Sequence, residues 1–374
     1  MKPAPAPMLT SRRLEGFGAV FRGGFNTDKE FYLLFKQGPG GYRYHNTEGS
    51  IILFADDKPL IYDGGEGGET WRHTTLSFYG VHRPLSIGHV ERFHSFPGVD
   101  FCQGVHPVLI KPGEPEQLCN GCKHDWVPLA WKRFAEPNPL DVRSLLWVKD
   151  EYIVMHDDLR LDPAVQSHWH AQVMANGETG NARDGYVFKG RFGTDLQIVL
   201  PGQSFAAESC TTTPMYEDGR PNTVCFEHLQ LTKEKADHYL AVLRPLSGGK
   251  KPIQAQEMRR DGNTYGVKIE GEGIDDLVFS NRQKLDLAEA GVKFQGRYGA
   301  VLKRGAEVQL VLLEGSAIEA GGISLHSSGP AVFLTVRAAS MEVAVEGDGV
   351  IEITRNQKTN SLTIAGRLAA TLAI

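Results

Sequence analysis

What most constrains the fold of this chain is its periodicity. Short runs rich in Val, Ile, Leu, Phe and Tyr recur from end to end, broken by Gly, Asp, Asn and Pro. Among them are "EFYLLFKQ", "SIILFADD", "SLLWVKDEYIVMHDDL", "GYVFKGRF", "LQIVL", "AVLKRGAEVQLVLLEG", "AVFLTV" and "GVIEIT". Several lie at hairpin spacing, with turn signals such as "ADDKP" and "EGDG" between them. Helical periodicity is nearly absent. The best candidate, "TKEKADHYLAVL", opens on a Thr cap, but its second half reads equally well as a strand. The expected class is all-β, a large antiparallel β-sandwich (a supersandwich) followed by a smaller C-terminal β-domain. Gly, Pro and charge concentrate in "RPLSGGKKPIQAQ" and "RRDGN". They put a boundary near 245–262 and domains at 14–250 and 251–374, after a Pro/Ala-rich linker over 1–13.

Composition narrows the function classes. Hydrophobic residues make up 41% and charged residues 23%, enough to bury a core. The net charge of -5, with no Lys/Arg-rich run, argues against a nucleic-acid partner. A few arginines in a pocket can still hold a polyanion on an acidic protein. No apolar run is long enough to span a membrane. The opening "MKPAPAPMLTSRRLEG" lacks the hydrophobic segment of a signal peptide. Five cysteines are an odd number. Cys119 and Cys122 in "CNGC" form a lone pair that reads as loop thiols, with a disulfide or half a metal site as alternatives.

Histidine is unevenly used, ten of the 13 falling between positions 45 and 170. "GSIILFADDKPLIYD" reads as a hairpin with strands over 49–54 and 60–62 and a turn over 55–58. Such a return brings His45 and Asp63 side by side at its open end. "YGVHRP" then offers His82, with His73 between. Two imidazoles and a carboxylate suit zinc with a fourth position open, and equally other divalent ions of mixed N/O preference. A hydrogen-bonded polar rim without metal fits the same spacing. If "QSHWHAQV" is a strand, His168 and His170 share one face and Trp169 takes the other. That pair suits a sugar- or metal-binding surface, or simple packing at the rim. In "GYRY", Arg43 can fork onto a carboxylate, and Tyr44 can act as acid or base beside a cation. The Gly-rich "QGPGGY" and "DGGEGGE" match neither a phosphate-binding nor a dinucleotide-binding loop, and no serine-hydrolase elbow occurs.

The succession "GFGAVFRGGFNTDKEFYLLFKQGPGGYRYHNTEGSIILFADDKPLIYDGG", "WRHTTLSFYGVHRP" and "SLLWVKDEYIVMHDDL" resembles the heparinase II/III-like polysaccharide lyases over about residues 14–250. The resemblance implies a β-sandwich that normally follows an (α/α) toroid. It also implies a divalent metal, zinc in a structural role, held by His45, Asp63 and His82. Where the family shows His-x-His-x-Asp, this chain reads Arg43-Tyr44-His45-Asn46-Thr47. The toroid, which supplies further catalytic groups, is not in the sequence.

The chemistry so implied is β-elimination on a uronate-containing glycan, where charge develops on the carboxylate and needs a preorganised cation. Arg43, Tyr44 and His73 are the catalytic candidates. Tyr42, Trp71, Arg72, His168 and His170 are the candidates for holding the substrate. The expected partner is an acidic polysaccharide, with an upstream α/α toroid or a second copy of the chain as a further one. That role would place the protein in the periplasm or outside the cell. Two readings compete with the lyase: a non-catalytic carbohydrate-binding or scaffold module, and an epimerase using the same proton abstraction.

Overall fold

The computed structural model describes residues 9–38, 48–62, 70–78, 88–107, 140–160, 166–181, 184–217, 220–289 and 291–373. They are strands almost throughout, with two short 3-10 turns at Thr70–Arg72 and Ser247–Gly249. The chain divides into two compact units, residues 1–95 with 100–250, and residues 96–99 with 251–374.

In the first unit the chain begins with β1 (Arg12–Leu14), β2 (Gly18–Gly23), β3 (Phe31–Lys36), β4 (Ile51–Ala55), β5 (Lys58–Ile61) and β6 (Leu76–Phe78). Next come β7 (His89–Ser95), β8 (Val99–Pro107), β9 (Leu140–Val148), β10 (Tyr152–Arg160), β11 (Ser167–Val173) and β12 (Ala175–Asn181). The last are β13 (Gly185–Gly190), β14 (Leu196–Val199), β15 (Ala207–Glu217), β16 (Arg220–Lys233) and β17 (His238–Pro245). They make two antiparallel sheets. One runs β1-β2-β3-β4-β5-β11-β16-β15 with β6 also on β11, the other β12-β13-β14-β17-β10-β9-β8-β7.

Alternation explains the first sheet. In β3, Phe31, Leu33 and Phe35 are buried while the residues between them are only partly so. The core joins Phe21, Leu53, Trp169 and Leu231 of this sheet to Leu145, Trp147, Ile153 and Tyr239 of the other. Trp147 lies flat on Phe31 with ring centroids 3.9 Å apart. The expected β4–β5 hairpin forms. Its turn is only two residues, Asp56 and Asp57, at φ 52° and 57°, the mirror-image turn that matches strand twist. "TKEKADHYLAVL" forms no helix. Its first half ends β16 and turns, and its second half is β17, buried on both faces. A strand covered on both sides loses the period of two, which is why its sequence was ambiguous.

The second unit is one antiparallel sheet of eleven strands, from Gln254–Arg260 to Arg367–Ala373. Its core includes Phe279 and Phe294, stacked at 4.4 Å. The fully buried Asp276 accepts hydrogen bonds from the Arg304 guanidinium (2.5 Å) and the Lys303 backbone N–H (2.9 Å).

One buried ion pair ties the two sheets of the first unit together. Arg143 on β9 and Asp157 on β10 are 1% and 0% exposed. The guanidinium grips the carboxylate through two bonds, Nε to Oδ1 at 2.5 Å and Nη2 to Oδ2 at 2.9 Å. Its remaining arm, Nη1, reaches the other sheet and donates to the carbonyls of Gly49 (2.5 Å) and Thr74 (3.3 Å). Gly49 sits at φ 76°, a conformation that disfavours any side chain. Asp157→Ala strands a buried guanidinium and is expected to cost about 3–5 kcal/mol of stability. The double change Arg143→Met with Asp157→Leu should recover most of that loss in urea unfolding. A double variant as unstable as the single one would contradict this.

Candidate functional site

Among the described residues, a group of titratable side chains lies on the face of β11 and β16 turned away from the core. Trp169 and Ala171 enter the core, so His168, His170 and Gln172 point the other way, the alternation expected of "QSHWHAQV". On the neighbouring strand, Leu229 and Leu231 take the core, leaving His228, Gln230 and Thr232 on the same face as the histidines. His228 was not singled out by sequence. The period of two in "CFEHLQLTK" carries its orientation, but pairing with a strand some sixty positions away does not show in either segment.

The free edge of β11 is shared by three partners. β6 pairs with its first half, from Phe78 against Ser167 to Leu76 against Trp169. β5 meets only its end, Ile61 against Val173, and Tyr62 N–H donates to the Gln172 carbonyl. Between them the segment 70–75 crosses the gap. His170 N–H donates to the Thr75 carbonyl (2.9 Å), and Gln172 N–H donates to Thr74 Oγ1 (3.0 Å). Gln172 Nε2 donates to the Trp71 carbonyl (2.5 Å). Trp71, Arg72 and His73 are thereby brought to the histidine face.

The imidazoles have distinct environments. His170 is 1% exposed, with Nε2 2.8 Å from Ser77 Oγ and Nδ1 3.1 Å from His228 Nε2. The His228 ring lies at a tilt 5.4 Å from Trp71, whose ring also carries the Arg72 guanidinium at 4.9 Å. His168 Nδ1 is 2.7 Å from Thr232 Oγ1 and 3.4 Å from Gln230 Nε2. With the Gln230 amide donating, Nδ1 is the acceptor and the ring proton belongs on Nε2. That Nε2 is buried and has no protein hydrogen bond. His73 has no exposed surface. Of the expected residues, then, Trp71, Arg72, His73, His168 and His170 come together. Tyr42, Arg43, Tyr44, His45, Asp63 and His82 lie outside the described residues, as do Cys119 and Cys122.

Electrostatics follow from burial. Desolvation, aided by the neighbouring imidazoles, holds His170 well below the usual histidine range. Desolvation also brings His228 down to about 4 and lowers His168. His168, His170 and His228 are therefore neutral at neutral pH, with lone pairs available for proton transfer or hydrogen bonding. A second group, the exposed Glu178 of β12 with Cys210 of β15 and Glu227 of β16, presents ligand atoms within 4.8 Å of one another. Burial and the surrounding carboxylates push the Cys210 thiol up to about 12, so it stays protonated.

Comparisons with known proteins bear on the fold. No family model matches the chain, and no curated protein matches it. Among solved structures it is similar to a heparan sulfate lyase HepC mutant from Pedobacter heparinus, at a TM-score of 0.53 and 16% identity. That match covers 75% of this chain and 42% of the other. A heparinase III (BT4657 gene product) matches at 0.53 and 15% identity, covering 72% and 42%. A further heparinase III structure gives 0.52 and 12%, covering 71% and 41%. The chain thus spans well under half the length of these proteins, and the likeness is one of fold: a heparinase-like β-sandwich.

The low pKa values of the cluster set a pH dependence. An unfolded histidine titrates near 6.5 and His228 near 4, so in that window the unfolded state binds more protons. Stability is therefore complete above pH 6.5 and is lost as pH falls toward 4, by about 3 kcal/mol from His228 alone. Melting temperature measured from pH 7 to pH 4 should fall more steeply in the parent than in His228→Asn. Parallel curves would contradict the assignment.

Proposed function

We propose that this chain is the sandwich portion of a polysaccharide lyase that acts on an acidic, uronate-containing glycan by β-elimination. The observation that carries the reading is the convergence of four histidines, Trp71 and Arg72 on one face of a sandwich whose solved likenesses are heparan-degrading enzymes. An aromatic face can carry the apolar side of a sugar ring, and a guanidinium answers a carboxylate. Neutral imidazoles are suited to moving protons. In the elimination the proton leaves the carbon next to the carboxylate. Its electron pair forms the new double bond, and the glycosidic oxygen departs with the C–O electrons. Arg43, ahead of the histidine face in sequence, is a second cation for the carboxylate, and Tyr44 an acid for the leaving oxygen.

The donor set His45, Asp63 and one more imidazole has the chemistry for a divalent metal such as zinc, which would pin the loops rather than activate the substrate. The third ligand expected from sequence is His82. The described neighbours of His45 and Asp63 favour His73 instead. Thr75 Oγ1 donates to the Glu48 carbonyl (2.8 Å), and Tyr62 joins Gln172, which in turn binds Thr74. Both flanks therefore converge on the two residues after His73, whereas Phe78, ahead of His82, pairs at the far end of β11. Elemental analysis of purified protein should find a roughly stoichiometric divalent metal that survives His82→Ala and is lost with His73→Ala. The reverse pattern would restore His82, and a metal-free parent would remove the metal altogether.

Activity is tested by the ultraviolet absorbance of the unsaturated uronate product, using polygalacturonate, alginate, hyaluronan, chondroitin sulfate and heparan sulfate. Appearance of the chromophore on any of them supports the lyase. Binding without it favours the second reading, a carbohydrate-binding or scaffold module, which the 42% coverage of a HepC chain keeps in view.

A further inference from the structure

Four imidazoles meet at this face, and their hydrogen bonds give them different capacities. His73 has no exposed surface. His170 has both ring nitrogens engaged inside the protein, one by Ser77 and one by His228. His168 holds Thr232 through Nδ1, and its Nε2 is enclosed. His228 alone combines one nitrogen fixed by a neighbouring ring with residual exposure, 8% of the residue. Beside it stand Trp71 and, over Trp71, the Arg72 guanidinium.

We propose that His228 is the residue that takes the proton from the uronate ring, and that His170 and Ser77 are positioning residues holding it for that task. This rests on the reading of the site as one for an acidic glycan. The chain Ser77 Oγ, His170 Nε2, His170 Nδ1, His228 Nε2 has two self-consistent arrangements when both rings are neutral. In one, Ser77 donates to His170, His170 donates to His228, and the His228 proton sits on Nδ1. In the other, His228 Nε2–H donates to His170, His170 Nε2–H donates to Ser77, and His228 Nδ1 carries a bare lone pair. The second is the competent form. His170 accepts from His228 and so keeps the proton on the inner nitrogen and the lone pair on the outer one.

The step then balances. The lone pair on His228 Nδ1 takes the proton from the carbon next to the carboxylate, and the C–H electrons become the new C=C bond. The C–O bond to the leaving sugar breaks toward oxygen, which takes the proton of the acid proposed above, and that acid is reprotonated from solvent. His228 is left as an imidazolium facing a substrate whose carboxylate gathers negative charge, and Arg72 answers the same charge from across Trp71. Product release returns the imidazolium proton to solvent. The tilted Trp71 ring, 5.4 Å away, packs beside His228, so the direction of the lone pair is set by packing as well as by the hydrogen bond.

The test uses the full chain and the same panel of uronate polymers, with three readouts: product absorbance, exchange of the ring proton for deuterium in heavy water, and calorimetric binding. His228→Gln should lower exchange and elimination together, on the order of 100-fold or more, with binding changed only a few-fold. His170→Leu should lower kcat with KM nearly unchanged, and His170→Asn, whose amide can stand near the Nδ1 position, should restore part of it. Ser77→Ala should fall between them. Melting curves check that each variant folds, and His228→Asn replaces His228→Gln if the latter does not. A parent that reacts while both His228 variants react as well as it does overturns the proposal and leaves the glycan reading standing. A parent that binds without exchange or elimination overturns the proposal and leaves a binding module. A parent that neither binds nor reacts with any polymer overturns both.

Discussion

Everything at the histidine face depends on a guanidinium with no access to water. Arg143 donates to Asp157 through two of its nitrogens, Nε and Nη2, and sends the third, Nη1, across the sandwich to the carbonyls of Gly49 and Thr74. Taking those charges out of water is costly unless the donors are met, and here each of the three nitrogens donates. The carbonyl of Thr74 belongs to the residue after His73, and its hydroxyl accepts the backbone N–H of Gln172. One interior ion pair thus sets the height at which the 70–75 segment crosses β11, and with it the positions of Trp71, Arg72 and His73.

That arrangement also explains how so many imidazoles can share a small space. An edge divided between β5 and β6 leaves the middle of β11 to a non-strand segment, which covers the face above it. Cover brings desolvation, desolvation keeps the rings neutral, and neutral rings can hydrogen-bond to one another without repulsion. The same cover makes the cluster a liability in acid, because the unfolded chain takes up protons that the buried His168, His170 and His228 do not.

Much of this was legible in the sequence, and what was missed has physical causes. Alternation in "QSHWHAQV" gave the facing of His168 and His170, because local periodicity decides which side of a strand a residue takes. The β4–β5 hairpin was legible from its turn residues, with Asp56 and Asp57 tolerating positive φ. His228 and Ser77 were not, since their place depends on β16 and β6 pairing with β11, contacts between segments far apart in the chain. The second half of "TKEKADHYLAVL" stays open between helix and strand for the opposite reason: a strand buried on both faces shows no period. Arg143 carries no signal of its own, because a lone arginine in a strand reads as surface and its partner Asp157 lies on the next strand.

The most direct test of a glycan site at this face is nuclear magnetic resonance of the imidazole nitrogens and tryptophan indoles while a uronate tetrasaccharide is added. The account predicts that His228, His168 and Trp71 respond first and together, saturating at one concentration, while His326 in the second unit stays still. Saturable shifts confined to other residues, with these three silent, would contradict it.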